Sequence, residues 1–151
     1  MTFFSYCDRI FIGDFMIKNR SELREVAMKS LYQVFILGET TLECNVEEII
    51  HEQLEVKNDF VNELVYGVIE KKDEINSLAN KYLVDWTIDR LNKVDQAILS
   101  IGIYELMFTS APSVVAINEA VVLSKKYSDE AVCKMINGVM DSIYHSEDYN
   151  E

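Results

Sequence analysis

Apolar residues recur at three- and four-residue intervals along most of this chain, which is the spacing that places them on one face of an α-helix. The spacing predicts helices over about 21–37, 45–54, a stretch starting near 58, 71–82, 91–108, 114–127 and 129–144. No segment alternates apolar and polar residues as a half-buried strand does. We therefore expect an all-α bundle of about seven helices, arranged as two packed helical halves that share one core.

Residues with special backbone preferences predict where these helices begin and end. Ser21 is a candidate N-cap of the first helix, and Gly38 is expected to end that helix. Pro112 is expected to prevent the fifth helix from continuing into the sixth. Thr87 is expected to cap a brief turn that precedes the fifth helix. That helix is apolar almost all round, which predicts that it lies at the centre of the bundle.

Length and composition predict a single domain. The chain has 151 residues, of which 49% are hydrophobic, enough for one sizeable core without disulfides or metals. We expect the domain to span residues 16–145 and an acidic tail to occupy 146–151. Residues 1–15 are rich in aromatics and lack the features of a signal peptide. They are either an extension that is non-native or disordered, or a short strand or helix that packs on the domain.

Charge is distributed unevenly along the sequence. The 26 acidic and 14 basic residues give a net charge of −12, which argues against uniform attraction to nucleic acid. Acidic residues are concentrated between Glu39 and Glu55 and in the tail. The basic residues gather in two groups: Lys18, Arg20, Arg24 and Lys29, and then Lys125, Lys126 and Lys134. Any RNA-binding surface must therefore be local.

The sequence offers little that is typical of an enzyme or a metal site. Three scattered cysteines and two histidines show no ligand spacing, so we expect no metal, no cofactor and a reducing cytoplasm. Motifs such as GxSxG, GxxxxGK[ST] and HExxH are absent. Charges interrupt every apolar run before it reaches the roughly 20 residues that a membrane span needs. We therefore expect a binding protein with no membrane partner.

Two small groups of residues are candidates for binding. Arg20 and Arg24 are spaced to grip phosphates at the start of the first helix, with Tyr32 further along as a surface for base stacking. The alternative is that Arg24 pairs with a neighbouring glutamate as ordinary surface charge. Tyr104 and Glu105 in the central helix are candidate interface residues, although the periodicity favours a core position for Tyr104.

Three segments together resemble the NusB family. They are NRSELREVAMKSLYQ at 19–33, VDQAILSIGIYEL at 94–106 and AINEAVVLSKKYS with KMINGVMD between 116 and 141. These segments occur in the family's order and cover nearly the whole chain beyond its first fifteen residues. The resemblance implies a small all-helical factor that binds the boxA element of ribosomal RNA transcripts, together with ribosomal protein NusE, in an RNA polymerase antitermination complex.

The resemblance also implies roles for individual residues. Carried over by position, the RNA contacts are Arg20, Arg24, Tyr32, Lys134 and Met135. The expected NusE contact is Asp95 in the central helix, near the candidate interface residues Tyr104 and Glu105. The chain departs from the family where arginines are frequent, at Ser21 and Glu22, and Met135 replaces a common phenylalanine. With the acidic net charge, these departures imply that RNA affinity depends on the protein partner.

Two other functions stay open on the sequence alone. NusB-like domains also occur at the N-terminus of ribosomal RNA cytosine methyltransferases. In this sequence only ten residues follow Asp141, which are too few for a catalytic domain that binds a methyl donor. On that interpretation the chain is an isolated RNA-docking module. Alternatively, it is a protein-only adaptor, such as a homodimer, that has lost RNA binding.

Overall fold

The computed structural model describes residues 18–39 and 44–149. Within these ranges the chain forms seven α-helices, one 3₁₀ turn and no strand, which confirms the all-α prediction. The helices are α1 (Arg20–Leu37), α2 (Val46–Gln53), α3 (Asp59–Glu70), α4 (Lys72–Tyr82), α5 (Lys93–Phe108), α6 (Ser113–Tyr127) and α7 (Glu130–Tyr144), and the 3₁₀ turn is Ile88–Arg90. The predicted extension at 1–15 lies outside the described residues.

Short polar side chains fix most of the helix starts. Asn19, and not the predicted Ser21, caps α1: its side chain accepts a hydrogen bond from the Glu22 N–H at 2.8 Å, and the Glu22 carboxylate accepts one from the Asn19 N–H at 2.9 Å. This reciprocal capping box satisfies two backbone donors, whereas a cap at Ser21 would satisfy only one. Asparagines also cap three other helices, at positions 45, 58 and 92.

Helix α5 is the centre of the bundle, as its apolar pattern predicted. Every residue from Asp95 to Leu106 is buried, and the helix packs against α1, α3, α4, α6 and α7. A helix enclosed in this way has no polar face, which accounts for the sequence pattern. The Thr87 side chain, by contrast, makes no capping bond to the backbone of the 3₁₀ turn, so that predicted cap is wrong.

Tyr104 is a core residue, as the periodicity favoured. Its ring lies against Gly67 of α3, where an added Cβ would come within 2.2 Å of the Tyr104 Cζ atom. Any larger residue at position 67 would therefore clash with the ring. The glycine allows α3 and α5 to pack closely around a buried tyrosine.

Residues 146–149, at the start of the predicted acidic tail, fold back onto the bundle. The Asp148 carboxylate accepts hydrogen bonds from the Lys81 ammonium at 2.7 Å and from the Tyr82 hydroxyl at 2.6 Å. The Tyr149 ring packs against Tyr144 at the end of α7, with ring centroids 5.0 Å apart. The Asp148 bonds join this segment to α4, and the Tyr149 contact joins it to α7.

None of the helices formed by residues 18–39 and 44–149 combines the length and the apolar character needed to cross a membrane.

Candidate nucleic-acid interface

Arg24 is buried inside the bundle, so its predicted place on an exposed flank of α1 is wrong. Only 4% of the residue is exposed, and its guanidinium donates two hydrogen bonds to the Glu105 carboxylate, at 2.7 and 2.8 Å. Glu105 is 2% exposed. In this bidentate ion pair each charged group is hydrogen-bonded to the other, which compensates for the loss of water around both. Neither group faces an RNA or protein partner in this conformation.

Arg20 stays at the surface, at the N-terminal end of α1. Its guanidinium lies over the Phe60 ring of α3, 4.1 Å from the centroid. Both residues line a cleft of about 810 Å³, whose walls also carry Glu63, Pro112 and Glu119. Acidic side chains balance the arginines here, so the cleft is not a strong anion site by itself.

The outer stripe of α1 carries Glu25, Lys29 and Tyr32. At 100° per residue these side chains fall within about 60° of one another on the helix surface. Tyr32 is 36% exposed, whereas Arg24, two turns before it, is buried. The solvent-facing stripe of α1 therefore includes Tyr32 but not Arg24.

A cluster around Glu25 joins this stripe to α6. The Glu25 carboxylate accepts hydrogen bonds from the Lys126 ammonium at 2.9 Å and from the Tyr127 hydroxyl, and Lys29 lies 3.7 Å away. Burial alone would raise the pKa of Glu25, but the bonds from Tyr127 and Lys126 lower it below its ordinary value. Burial and the bond to Glu25 raise the pKa of Tyr127 to about 12. The cluster therefore holds one carboxylate between two ammonium groups at neutral pH.

A groove between α6 and α7 continues the positive surface. It has a volume of about 450 Å³ and is lined by Lys125, Ser128, Lys134 and Asn137, with Glu130 as its one acidic residue. The Lys134 side chain is 78% exposed and lies 3.8 Å from Glu130. The groove can therefore offer ammonium groups and an amide to an anionic ligand, while the Ser128 hydroxyl donates to the Asp95 carboxylate.

We use the name basic face for Lys29, Lys125, Lys126 and Lys134. Its four lysines are balanced by only Glu25 and Glu130 within the cluster and groove, although the whole chain has a net charge of −12. Tyr32 and Tyr127 are each partly exposed beside it, and the Lys126 ammonium lies over the Tyr127 ring, 5.7 Å from its centroid. Phosphates and stacked bases are the ligands that such a surface suits.

Three of the RNA contacts predicted from the sequence fall on or beside this region, and the others do not. Lys134 belongs to the basic face, Tyr32 lies beside it on α1, and Met135 is half-buried against the core next to Lys134. Arg20 lies at the end of α1, where the Ser21 hydroxyl donates to Glu119 of α6 at 2.7 Å. Arg24 is excluded by burial.

Sequence reasoning missed Tyr127 and the part that Glu25 plays. Both take their roles from a contact across 102 residues of sequence, which no local pattern reports. The adjacent Lys125 and Lys126 were the only signal that this end of α6 mattered.

The three candidate partner contacts are all buried. Asp95 is 3% exposed and accepts a hydrogen bond from the Ser128 hydroxyl in the α6–α7 joint. Burial raises the pKa of its carboxyl group, and the Ser128 bond opposes that effect. Tyr104 and Glu105 lie in the core. The predicted partner contacts at Asp95 and Glu105 are therefore wrong, whereas Tyr104 has the core position that its periodicity favoured.

The described part of the chain holds no group of three or more histidine, cysteine or acidic residues arranged to bind a metal.

Known proteins of one family resemble this chain in sequence and in fold. The NusB family model matches residues 21–145. Transcription antitermination protein NusB of Macrococcus caseolyticus is 40% identical over 127 residues, which is 83% of this chain and 95% of the relative. The structure of T. maritima NusB has a TM-score of 0.71 and 30% identity, and the match covers 83% of this chain and 90% of that one.

A crystal structure of antitermination factors NusB and NusE in complex with dsRNA also matches, with a TM-score of 0.70 and 32% identity over 83% of this chain and 95% of that one. The family-model match at residues 21–145 covers all seven helices apart from the first residue of α1, and an identity of 32% is above the level at which only a fold is shared. This chain belongs to the NusB family.

Proposed function

We propose that this chain is a transcription antitermination factor that binds a boxA-like single-stranded segment of ribosomal RNA transcripts together with ribosomal protein NusE. Its relatives are named for antitermination, and one related structure contains NusB, NusE and RNA. The protein acts by binding and positioning, without catalysis, in the RNA polymerase antitermination complex. We place it in the cytoplasm, where transcripts are made.

The observation that carries this proposal is the basic face. An RNA strand meets repulsion over most of a chain of net charge −12, so it binds where the lysines outnumber the carboxylates. Lys126 and Lys134 have side chains 60% and 78% exposed, so their ammonium groups can reach phosphates. Neutralising phosphates releases counterions, which supplies affinity that falls with salt.

The two tyrosines give the face a second mode of binding. Unstacked bases of single-stranded RNA pack on aromatic rings, and each such contact contributes about 1–3 kcal/mol. The Tyr127 hydroxyl is held by Glu25, which restrains its ring beside Lys126. Tyr32 offers a second ring, two turns after Glu25 on α1.

Arg20 and Met135 have supporting roles in this proposal. Arg20 can reach the RNA from the end of α1, and its stacking on Phe60 restrains the guanidinium before the RNA arrives. Met135 packs against the core beside Lys134 and offers an apolar contact rather than a stacking ring.

In this proposal NusE contributes further contacts to the RNA. The basic face holds few cations for tight binding of an isolated strand, so we expect the pair to bind RNA more tightly than this chain alone. Because Asp95, Tyr104 and Glu105 are buried, NusE binds through other residues of the surface.

A salt series with matched variants tests the proposal. Fluorescence anisotropy gives the Kd of a labelled boxA-like RNA, with and without NusE, for wild type, Lys126→Ala, Lys134→Ala and the control Lys57→Ala. Lys57 has an exposed ammonium paired with Glu47, away from the basic face. For single-stranded RNA, each lost phosphate contact makes the negative slope of log K, the association constant, against log salt concentration shallower by about 0.7.

We expect that reduction for the two lysines of the basic face and an unchanged slope for Lys57→Ala. Equal effects of all three substitutions would reject the basic face as the RNA site. Binding to NusE or to a second copy of the chain, with no RNA binding at any salt concentration, would support the protein-only adaptor instead.

A further inference from the structure

Gly138 lies inside helix α7, on its exposed side. A Cβ atom added there would meet no other atom within 4 Å. A helix with glycine in its interior is less stable than the same helix with alanine by about 1 kcal/mol, because the glycine backbone loses more conformational freedom on folding. The residue therefore lowers the stability of α7 without making room for any described part of the chain.

The other helical glycines have a structural reason. Gly67 makes room for the Tyr104 ring, and an added Cβ at Gly102 would come within 3.0 Å of both Ala120 and Met140. These residues allow helices to pack closely around α5. At Gly138, by contrast, no helix of the described residues comes close enough to need a glycine.

The residues around Gly138 indicate which kind of ligand could approach the helix there. It lies one turn after Lys134 on α7 and directly follows Asn137, and both of those residues line the groove with Lys125. The single carboxylate of the groove, Glu130, is already near the Lys134 ammonium. Gly138 is therefore at the edge of the basic face, beside a surface that favours an anion.

We propose that the RNA strand crosses α7 at Gly138, where the missing side chain lets the sugar-phosphate backbone approach the helix closely. Lys134 and Lys125 bind the flanking phosphates, and Asn137 offers its amide to the strand. This assignment rests on the proposed RNA-binding function and adds a contact point to it. It favours RNA because two of the groove's lining residues are lysines, against a single carboxylate, so the groove attracts phosphates.

A Gly138→Ala substitution separates this role from a structural one, because the two predict opposite signs. We expect the variant to have a Tm higher by about 2–4 °C, since alanine is the better helix former and meets no clash. We expect its Kd for the boxA-like RNA, measured in the presence of NusE, to rise by about tenfold, which corresponds to about 1.4 kcal/mol.

Ser77→Ala is the matched control. Ser77 is an exposed residue inside α4, and its replacement also improves helix propensity at a position away from the basic face. It should raise Tm slightly and leave RNA binding unchanged. A Gly138→Leu variant, which fills more of the open space, should weaken RNA binding further than Gly138→Ala.

The possible results are distinguishable. If wild type binds the RNA and Gly138→Ala binds it equally well, the assignment of Gly138 is overturned while the proposed function stands. If Gly138→Ala instead weakens the binding of NusE with no RNA present, this side of α7 is a protein interface and the assignment is again overturned. Absence of RNA binding by wild type with NusE would reject the proposed function itself.

Discussion

Arg24 and Glu105 form a buried ion pair that joins helix α1 to the central helix α5. Two hydrogen bonds of 2.7 and 2.8 Å link the guanidinium to the carboxylate, and a third nitrogen of Arg24 lies 3.7 Å from Glu119 of α6. The same side chain also lies over the Phe60 ring, 5.2 Å from its centroid. Arg24 therefore contacts three helices besides its own, and its role is structural.

Replacing Arg24 with alanine should destabilise the fold. The substitution leaves the Glu105 carboxylate buried without its partner, and breaking such a pair costs about 3–5 kcal/mol. Urea unfolding followed by circular dichroism measures the loss. An Arg24→Met, Glu105→Leu double variant removes both charges and should recover most of the stability. Wild-type stability in Arg24→Ala combined with a specific loss of RNA binding would contradict this account.

Replacing Gly67 with alanine should also destabilise the fold, in contrast to the same change at position 138. The new methyl group would lie within 2.2–2.5 Å of three atoms of the Tyr104 ring, which is buried and packs against Phe108. Overpacking of this kind costs about 1–3 kcal/mol. Thermal unfolding provides the measurement, and truncating the ring with Tyr104→Leu in the same protein should make the alanine less harmful. A higher Tm for Gly67→Ala alone would show that the packing is looser than described.

Asp85 has a backbone conformation that favours glycine. Its φ angle is 64°, in the left-handed region, at the turn between α4 and the 3₁₀ segment. Asp85→Gly removes the steric cost of a Cβ atom in this conformation, so the variant should be as stable as wild type or slightly more stable. Asp85→Ala keeps that steric cost and also loses the polar side chain. We expect alanine to be less stable than glycine at this position by about 1 kcal/mol, the usual strain of a left-handed residue. Equal Tm values for the two variants would indicate that the turn relaxes.

The Tyr127 and Glu25 pair predicts a pH dependence at the alkaline end. Burial and the bond to Glu25 raise the pKa of Tyr127 from 10.0 to about 12, so the folded state holds this proton more tightly than the unfolded chain does. The resulting stability is fully present below pH 10 and is lost as pH rises toward about 12. Tyrosinate absorbance of wild type minus that of Tyr127→Phe reports the ionisation. A difference titration centred near 10 would mean that the hydroxyl is not held by Glu25.

The helices could be predicted from the sequence because each depends on local periodicity. The apolar positions of α5 repeat without a polar face, and that alone indicates a central helix. The N-cap of α1 was misplaced by two residues because both Asn19 and Ser21 are good caps. Only the reciprocal bond from Glu22 distinguishes them, and it depends on side-chain geometry.

The candidate site could be predicted only in part. Lys134 and Tyr32 were found because a charged or aromatic residue at an exposed helical position needs no distant partner. Arg24 was misplaced because its partner, Glu105, lies 81 residues away, and a buried pair and a surface arginine have the same local pattern. Tyr127 was missed for the corresponding reason, since its link to Glu25 is equally remote.

Mapping where the RNA touches the protein tests the central claim most directly. Photo-crosslinking of a thiouridine-substituted boxA-like RNA to this chain in the presence of NusE, followed by mass spectrometry of the peptides, identifies the contacted residues. We predict crosslinks in the segments that carry Lys29 and Tyr32 of α1, Lys125 to Tyr127 of α6, and Lys134 to Gly138 of α7. Crosslinks confined to α2, α3 or α4 would contradict the account.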